Sequence, residues 1–491
     1  MLTARFFRQL RGVNPFGGEI VPTRVRLLGF GRPSLPFPHI LNYREPIRIL
    51  DTFFWKVDGQ TGPGRHNRYL DVPGMDCVLV TREPAVIRAV LSDTGDKPGQ
   101  FDRDTAPSTG IARATGEDSL LYANGPLWRR QKLLAAPSFS RTNLFQPEKF
   151  GEFEQTFRKT VHQRLELLYE RQRAAGRAVS RVRLEPEIGV VMLEMLVNNF
   201  FGGSVSYEDL RDRHIPSLVG LIDHMVRDTV GRRLRAPFGI FGRNARLKRA
   251  RADFEALADI ALSGRRDGRG LWAQFKSDAP DAALRSNIRV FLAGALEATT
   301  SFASWALSHL SRDRAIQDRL YAEVKEVDVY EPENLAKAAT LHRVLEETLR
   351  LTPSLYFLPR RTTADTRVET ADGRTLLVPR DTHVVLDVWH ANRCEEFWGA
   401  EATGYPAETF APDRWDVLAQ KGRSSRELMH FGFGHGPRVC PGKFLGLLEV
   451  ALVVGAFVKL FTFTAVNERV EARAGVSTKP ADGVWVDLSL R

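Results

Sequence analysis

Cysteine is scarce. Cys77, Cys394 and Cys440 are the three in 491 residues, too few and too scattered for a disulfide framework. None lies in a CxxC pair or a zinc-type Cys/His cluster, which argues against a structural zinc module and favours a reducing, cytoplasmic setting. Long uncharged apolar runs are missing too. The very apolar stretch Phe444 to Phe461 is broken by Glu449 and Lys459 and suits a buried core helix. The N-terminal MLTARFFRQLRG has no uninterrupted apolar region, so neither a signal peptide nor a transmembrane anchor is expected, and the protein is read as soluble. Arg5, Arg8 and Arg11 beside Phe6, Phe7 and Leu10 leave two readings open there, a packed arm and a surface-seeking helix. Repeats, low-complexity tracts and Gly/Ser linkers are absent, so one domain is expected over 41–491 after an N-terminal entry arm, 1–40, that is Pro/Gly-rich from Asn14 to His39. The net charge of +11 comes from dispersed basic residues without a nucleic-acid motif, so no nucleic-acid partner is expected.

Helical periodicity dominates what is present. Pro84 to Ser92, Pro147 to Arg173, the segment from Pro186 and Asn244 to Arg265 repeat apolar residues at i, i+3 and i+4. Strand signals are short. RYLDV and DCVLVT flank Pro73-Gly74 as a hairpin, others cluster between Arg367 and Val388, and LFTFTAV and GVWVDLSL form a late pair. The fold class is therefore mainly α with a small β portion (α+β). The longest helix is expected from Asp281 to Arg314; it is apolar on nearly every face and belongs in the middle of a large molecule. Glu297, Thr299, Thr300 and Ser301 are polar in that setting, which marks either a site or side chains bonded back to carbonyls one turn earlier.

The stretch FGFGHGPRVCPGK, Phe431 to Lys443, surrounds one cysteine with glycine and proline. A nucleophilic thiol needs a positioned base, and a zinc thiolate needs three more ligands; neither is offered nearby. Gly434, Gly436 and Gly442 free backbone amides to approach the sulfur, and Pro441-Gly442 opens a helix whose N-terminal dipole favours a thiolate. Those are the needs of an axial ligand to haem iron, with Arg438 suited to a propionate and Phe433 to the sulfur side of a flat macrocycle.

The stretch resembles the haem-binding loop of the cytochrome P-450 family, FxxGxRxCxG, with Phe433, Gly436, Arg438, Cys440 and Gly442 at all five fixed positions. A chance match is on the order of one in ten thousand, which sets aside an unrelated loop. Glu347-Thr-Leu-Arg350 resembles the family's ExxR, and FAPDRW resembles the segment supplying its second arginine; the resemblance implies a structural lock of Glu347, Arg350 and Arg414 behind the haem. Trp128 to Lys132 is similar to WxxxR, with lysine where the family has arginine, and LPRRTT resembles the strand carrying another propionate contact, Arg360 by spacing or else Arg361. The resemblance thus implies a triangular helical haem domain with a long central helix. It also implies haem b held by Cys440 as metal ligand and by Arg438, Phe433, Gly434, Gly442, Trp128, Lys132 and Arg360.

In the family the central helix reads AGx(D/E)TT, with the acid and first threonine delivering protons. FLAGALEATTSFASW fits in two registers: one puts Glu297 at the acid and Ala298 at the threonine, the other keeps Thr299-Thr300 and puts Ala298 at the acid. The first agrees on both flanks. Glu297 and Thr299 are then expected to organise the proton-delivery water jointly, given a local widening of the helix.

The implied activity is that of a haem-thiolate monooxygenase inserting one oxygen atom of O2 into a lipophilic substrate such as a fatty acid, hydrocarbon, terpenoid or steroid. A peroxide-driven hydroxylase or a haem-thiolate isomerase is the alternative, motivated by Ala298; a non-catalytic haem sensor is a remote one. With no GxGxxG and no ferredoxin-type cysteine cluster, electrons from NAD(P)H are expected through a separate ferredoxin or flavodoxin-type partner. Its docking place would be the proximal face near Arg426, His430, His435, Arg438 and Lys443. The expected protein is a soluble, bacterial-like monomer. Substrate-facing residues expected by resemblance are Ile111, Leu218, Met225, Phe238, Phe291, Leu355, Tyr356 and Phe357, with Arg103 or Arg113 as conceivable carboxylate anchors.

Overall fold

The apolar periodicities condense into a helical body flanked by short sheets. The structure is a computed structural model, which describes residues 2–25, 46–56, 64–94, 101–106, 111–112, 115–144, 147–176, 179–222, 224, 245–273, 281–329, 334, 337–422, 430–468 and 470–491. Its principal helices in chain order are α1 (Leu2–Arg11), α2 (Pro84–Ser92), α3 (Gly125–Phe139), α4 (Pro147–Ala174), α5 (Glu185–Glu194), α6 (Ala245–Arg266), α7 (Asp281–Leu310), α8 (Arg314–Val324), α9 (Ala339–Leu351), α10 (Arg414–Gln420) and α11 (Lys443–Leu460).

Helix α7 is the axis of this body, packed by α5, α6, α9 and α11. Its Leu292, Ala303, Ala306, Leu307 and Leu310 are inaccessible, as a helix apolar all round requires. Among the described residues, its Leu284–Leu310 is the helix long and apolar enough to cross a bilayer, yet most of it is buried inside the protein. The next helix begins sharply because the Asp313 carboxylate accepts from the Ile316 amide at 2.9 Å. The Glu323 carboxylate on α8 likewise accepts from the Thr340 and Leu341 amides at the start of α9.

The β portion is minor, as expected. A six-stranded sheet runs in the order β2 (Thr23–Arg24), β3 (Asn67–Leu70), β4 (Val78–Thr81), β10 (His383–Asp387), β7 (Phe357–Thr362), β5 (Phe101–Arg103). The hairpin around Pro73-Gly74 supplies β3 and β4, and Gly74 takes φ +83° at its tip. Strands β1 (Gly17–Gly18), β8 (Thr366–Glu369) and β9 (Thr375–Val378) form a second sheet. The late pair β11 (Phe461–Ala465) and β14 (Trp485–Leu490) is joined by β6 (Ser180–Arg183), and β12 (Ala472–Ala474) pairs with β13 (Thr478–Pro480). The sheet edge at β5 and β7, the N-terminus of α11 and the middle of α7 bound the space in which the candidate residues meet.

Candidate functional site

The cysteine loop is shaped by its glycines. Gly434 and Gly436 take φ +72° and +70°, and a Cβ on Gly436 would lie 2.3 Å from the Leu91 carbonyl, so the loop passes flush against α2. The Cys440 amide donates to the Phe433 carbonyl at 2.8 Å, closing the loop beneath the sulfur. Cys77 and Cys394 are buried; Cys440 keeps accessible surface. Desolvation by surrounding protein pushes its thiol up to about 11, against the opposing pull of the Gly442 amide and the Lys443 charge. The Phe433 ring meets Phe302 of α7 edge-on, with centroids 6.4 Å apart.

Three arginines converge beside the loop. Arg360 is buried, with Nε donating to Thr94 Oγ1 at 3.0 Å and Nη1 to its neighbour's carbonyl, Pro359 O, at 2.8 Å. Arg103 stands directly opposite it across β5 and β7. Arg438 donates through Nη2 to Ala123 O at 2.6 Å and Asn124 Oδ1 at 2.8 Å, and stacks over Trp128 at 4.6 Å. Burial and then mutual repulsion hold Arg360 well below the usual guanidinium range; burial and the Arg103 charge bring Arg438 down to about 9. Among the described residues none of the three forms an ion pair, and the Nε atoms of Arg103 and Arg438 are enclosed without a partner. Clustered, partly or fully buried cations with enclosed unused donors are an incomplete arrangement, and a ligand bearing two carboxylates would complete it. With a thiol on an adjacent loop, the donor set fits haem and its propionates.

Trp128 is buried, and Lys132 reaches back over its ring to donate to the Pro437 carbonyl at 3.2 Å, so this lysine braces the cysteine loop. Gly442 forms the N-terminal boundary of α11. The Glu347, Arg350 and Arg414 side chains are all fully buried. Arg350 gives Glu347 a bidentate pair at 2.9 and 2.8 Å, and Arg414 Nε reaches the same carboxylate at 3.2 Å. The remaining guanidinium donors take the carbonyls of Asn392, Ala407, Trp398 and Pro406, so no charge is left bare. Asn392 then donates to His430 O at 2.8 Å, and the His430 ring bridges Glu346 and the Gly432 amide. The lock therefore grips the first residues of the cysteine loop.

On the distal helix the expected pair comes apart. The chain is α-helical throughout Asp281–Leu310, without the local widening that the joint arrangement required; a π-type widening occurs instead at Met195–Phe200 after α5. Glu297 and Thr299 consequently point to different sides, as i and i+2 positions do. Glu297 is buried and accepts from Ser477 Oγ at 2.8 Å and Lys479 Nζ at 2.7 Å. The Thr299 hydroxyl donates to Ala295 O at 2.8 Å, and its methyl faces Gly446 of α11. Ala298 brings no side-chain polar group, and its carbonyl accepts from Ser354 at 2.9 Å. Thr300 Oγ1 is enclosed without a partner, and Ser301 donates to Thr478 O. Gly294 is exposed, with open space where a side chain would stand.

Arg103, Asn124, Asn392, Ser477 and Lys479 were not assigned these contacts by sequence. Asn124 joins Arg438 to the Arg103 backbone, exchanging two hydrogen bonds with it at 2.8 and 3.0 Å. Leu355 is exposed as a substrate-facing residue would be, whereas Leu218 and Tyr356 are core residues. Met225, Phe238, Arg113 and Arg426 lie outside the described residues.

A family model described as Cytochrome P450 matches residues 69–480. Pluviatolide synthase of Sinopodophyllum hexandrum is 31% identical over 180 residues, 35% of this chain and 34% of that protein. Cytokinin hydroxylase of Arabidopsis thaliana is 24% identical over 399 residues, 75% of this chain and 71% of that protein. The cytochrome P450 monooxygenase alt2 of Alternaria solani is 24% identical over 420 residues, with 78% and 75% covered. The alignment thus spans about a third of pluviatolide synthase and roughly three quarters of the other two. The cysteine loop, the arginine cluster and the Glu347 lock all fall inside the matched range, and the chain belongs to the cytochrome P450 family.

Proposed function

We propose that the protein is a haem-thiolate monooxygenase that places one oxygen atom of O2 into a lipophilic organic substrate. The observation that carries this reading is the accessible Cys440 on a glycine-opened loop beside three arginines that form no ion pair among the described residues. When bound, the haem supplies dioxygen activation and C–H oxidation, and the protein supplies what surrounds it. Cys440 would hold the iron; Arg103, Arg360 and Arg438 would hold the propionates, with Trp128 beneath Arg438. Lys132 and the Glu347 lock fix the loop from two sides.

Glu297, by this reading, carries the proton on the distal side. Its carboxylate is kept in place by Ser477 and Lys479, and proton transfer at Oε1 requires the Lys479 contact to loosen. The Thr299 hydroxyl has its hydrogen committed to Ala295 O, so it accepts more readily than it donates.

Electrons would come from a separate acidic redox protein of ferredoxin or flavodoxin type. A recess of about 460 Å³ lined by Trp128, Arg129, Lys132, Leu133, Pro137, Ser140 and Pro437 opens beside the cysteine loop. Leu133, Val439 and Phe444 are exposed around it, a pattern of apolar contacts with cationic neighbours that suits such a partner. His430 and Arg438 are spent internally, and burial holds His435 below its usual range, so they add little to the docking charge.

The test is spectroscopic. Reduced, haem-loaded protein should give the red-shifted carbon monoxide band of a thiolate-ligated haem, and Cys440→His should abolish it. Titration with fatty acids, alkanes, terpenes and steroids should then shift the Soret band with one class. A haem-loaded protein whose band is unaffected by Cys440→His would sink the reading. A peroxide-driven hydroxylase is the second reading, favoured by the absence of a side-chain hydroxyl at Ala298; turnover with peroxide as fast as with any reductase would select it.

A further inference from the structure

Helix α1 is docked the wrong way round for a helix facing water. Gln9 is almost fully buried and donates to Asp71 Oδ1 at 2.6 Å and Met75 O at 3.0 Å, while its own Oε1 accepts from the Gly74 amide at 3.1 Å. Arg5 pairs with Asp76 at 2.9 Å and donates to Met75 O, and Arg8 approaches Asp71 at 3.7 Å. The polar side of α1 is thus fastened to the β3–β4 hairpin. Phe6, Phe7 and Leu10 fall together on the opposite arc, about 100° wide by helical geometry, and are 41%, 57% and 58% exposed. Val13, just beyond the helix, is 53% exposed. A surface helix ordinarily turns its apolar stripe inward; six contacts hold this one outward.

We propose that this face is an interfacial membrane anchor that seats the protein on an anionic lipid surface. The hydrogen bonds to the hairpin fix the rotation of α1, so the two phenylalanines and Leu10 enter the headgroup layer together. Arg11 stands exposed at the border of the arc, α1 carries no acidic residue, and the chain has a net charge of +11. A second copy is a poor occupant for the same reason: it would bring two equally cationic faces together. The anchor is independent of the reaction proposed above.

The test is co-sedimentation of the full haem-loaded chain with phosphatidylcholine vesicles, with and without phosphatidylglycerol. Wild type should bind, more tightly with phosphatidylglycerol and less at high salt. Phe7→Ser and Leu10→Ser should each weaken partition about tenfold with an unchanged thermal melt. Arg11→Gln should cut the preference for phosphatidylglycerol about fivefold. Wild type that stays in solution with both vesicles overturns the proposal, and so does binding that the Phe7 and Leu10 variants retain. A dimer in light scattering that these variants dissolve, without vesicle binding, would assign the face to a second copy and equally overturn it.

Discussion

Arg103 and Arg360 face each other across an antiparallel strand pair, with no ion-pair partner for either among the described residues. Like charges in that position oppose folding. The haem-free chain should therefore gain from losing one: Arg360→Met should raise its stability to urea by about 1–3 kcal/mol. The same variant, once loaded, should surrender haem to apomyoglobin at least about tenfold faster. Destabilised haem-free protein with unchanged haem retention would mean that Arg360 is an ordinary structural residue.

Glu347 is the shared counter-ion of two inaccessible arginines. Glu347→Gln keeps the shape but strands both cations, at a cost of about 3–5 kcal/mol by chemical denaturation. Asn392→Ala leaves the lock whole and cuts its link to His430. That variant should lose only about 1–2 kcal/mol, yet take up haem poorly. Normal haem uptake by Asn392→Ala would show that the loop does not depend on the lock.

Glu449 contributes a loss of stability as pH rises through the weakly acid range. Burial alone pushes its carboxyl up to about 8, whereas in the unfolded chain it ionises near the usual value, about 4.3. Below both values the folded and unfolded states hold this proton equally. Between them the unfolded state releases it first, so stability is lost, and above about 8 the loss is complete. Glu449→Gln should match wild type near acid pH and exceed it by roughly 3 kcal/mol at neutrality. Urea titrations at several pH values check this; a constant offset between the two proteins would contradict it.

Glu297 and Thr299 make separable predictions because they point apart. With any substrate that turns over, Glu297→Gln should slow oxygen consumption about tenfold or more and alter the solvent isotope effect. Thr299→Val, which loses only a back-bond, should change either quantity by less than about twofold. A large Thr299→Val effect beside a silent Glu297→Gln would reverse the assignment.

Local signals carried most of what sequence revealed. The cysteine loop could be read because glycines at positive φ and a cysteine before a helix leave a composition that survives without coordinates. The long central helix, the Pro73-Gly74 hairpin and the late strand pair followed from periodicity and turn chemistry. Long-range pairings did not follow. Strand β6 is a polar, half-exposed edge of four residues whose partner β14 comes near the far end of the chain. Arg103 looked like a loop arginine because its strand has three residues and its significance lies in what stands opposite. Lys479 meets Glu297 across 182 positions, and neither flank of Glu297 hints at it. Spacing alone also could not decide whether α7 widens, since that depends on how its neighbours pack.

The arginine cluster also sets an order of events in the cell. If haem is their counter-ion as proposed, a newly made chain holds three cations together before it arrives, and the haem-free form is the weak stage of the protein's life. Binding a ligand that prefers the folded state rescues that stage by mass action. Quality control degrades what is not rescued, so cellular abundance should follow haem supply rather than the rate of synthesis.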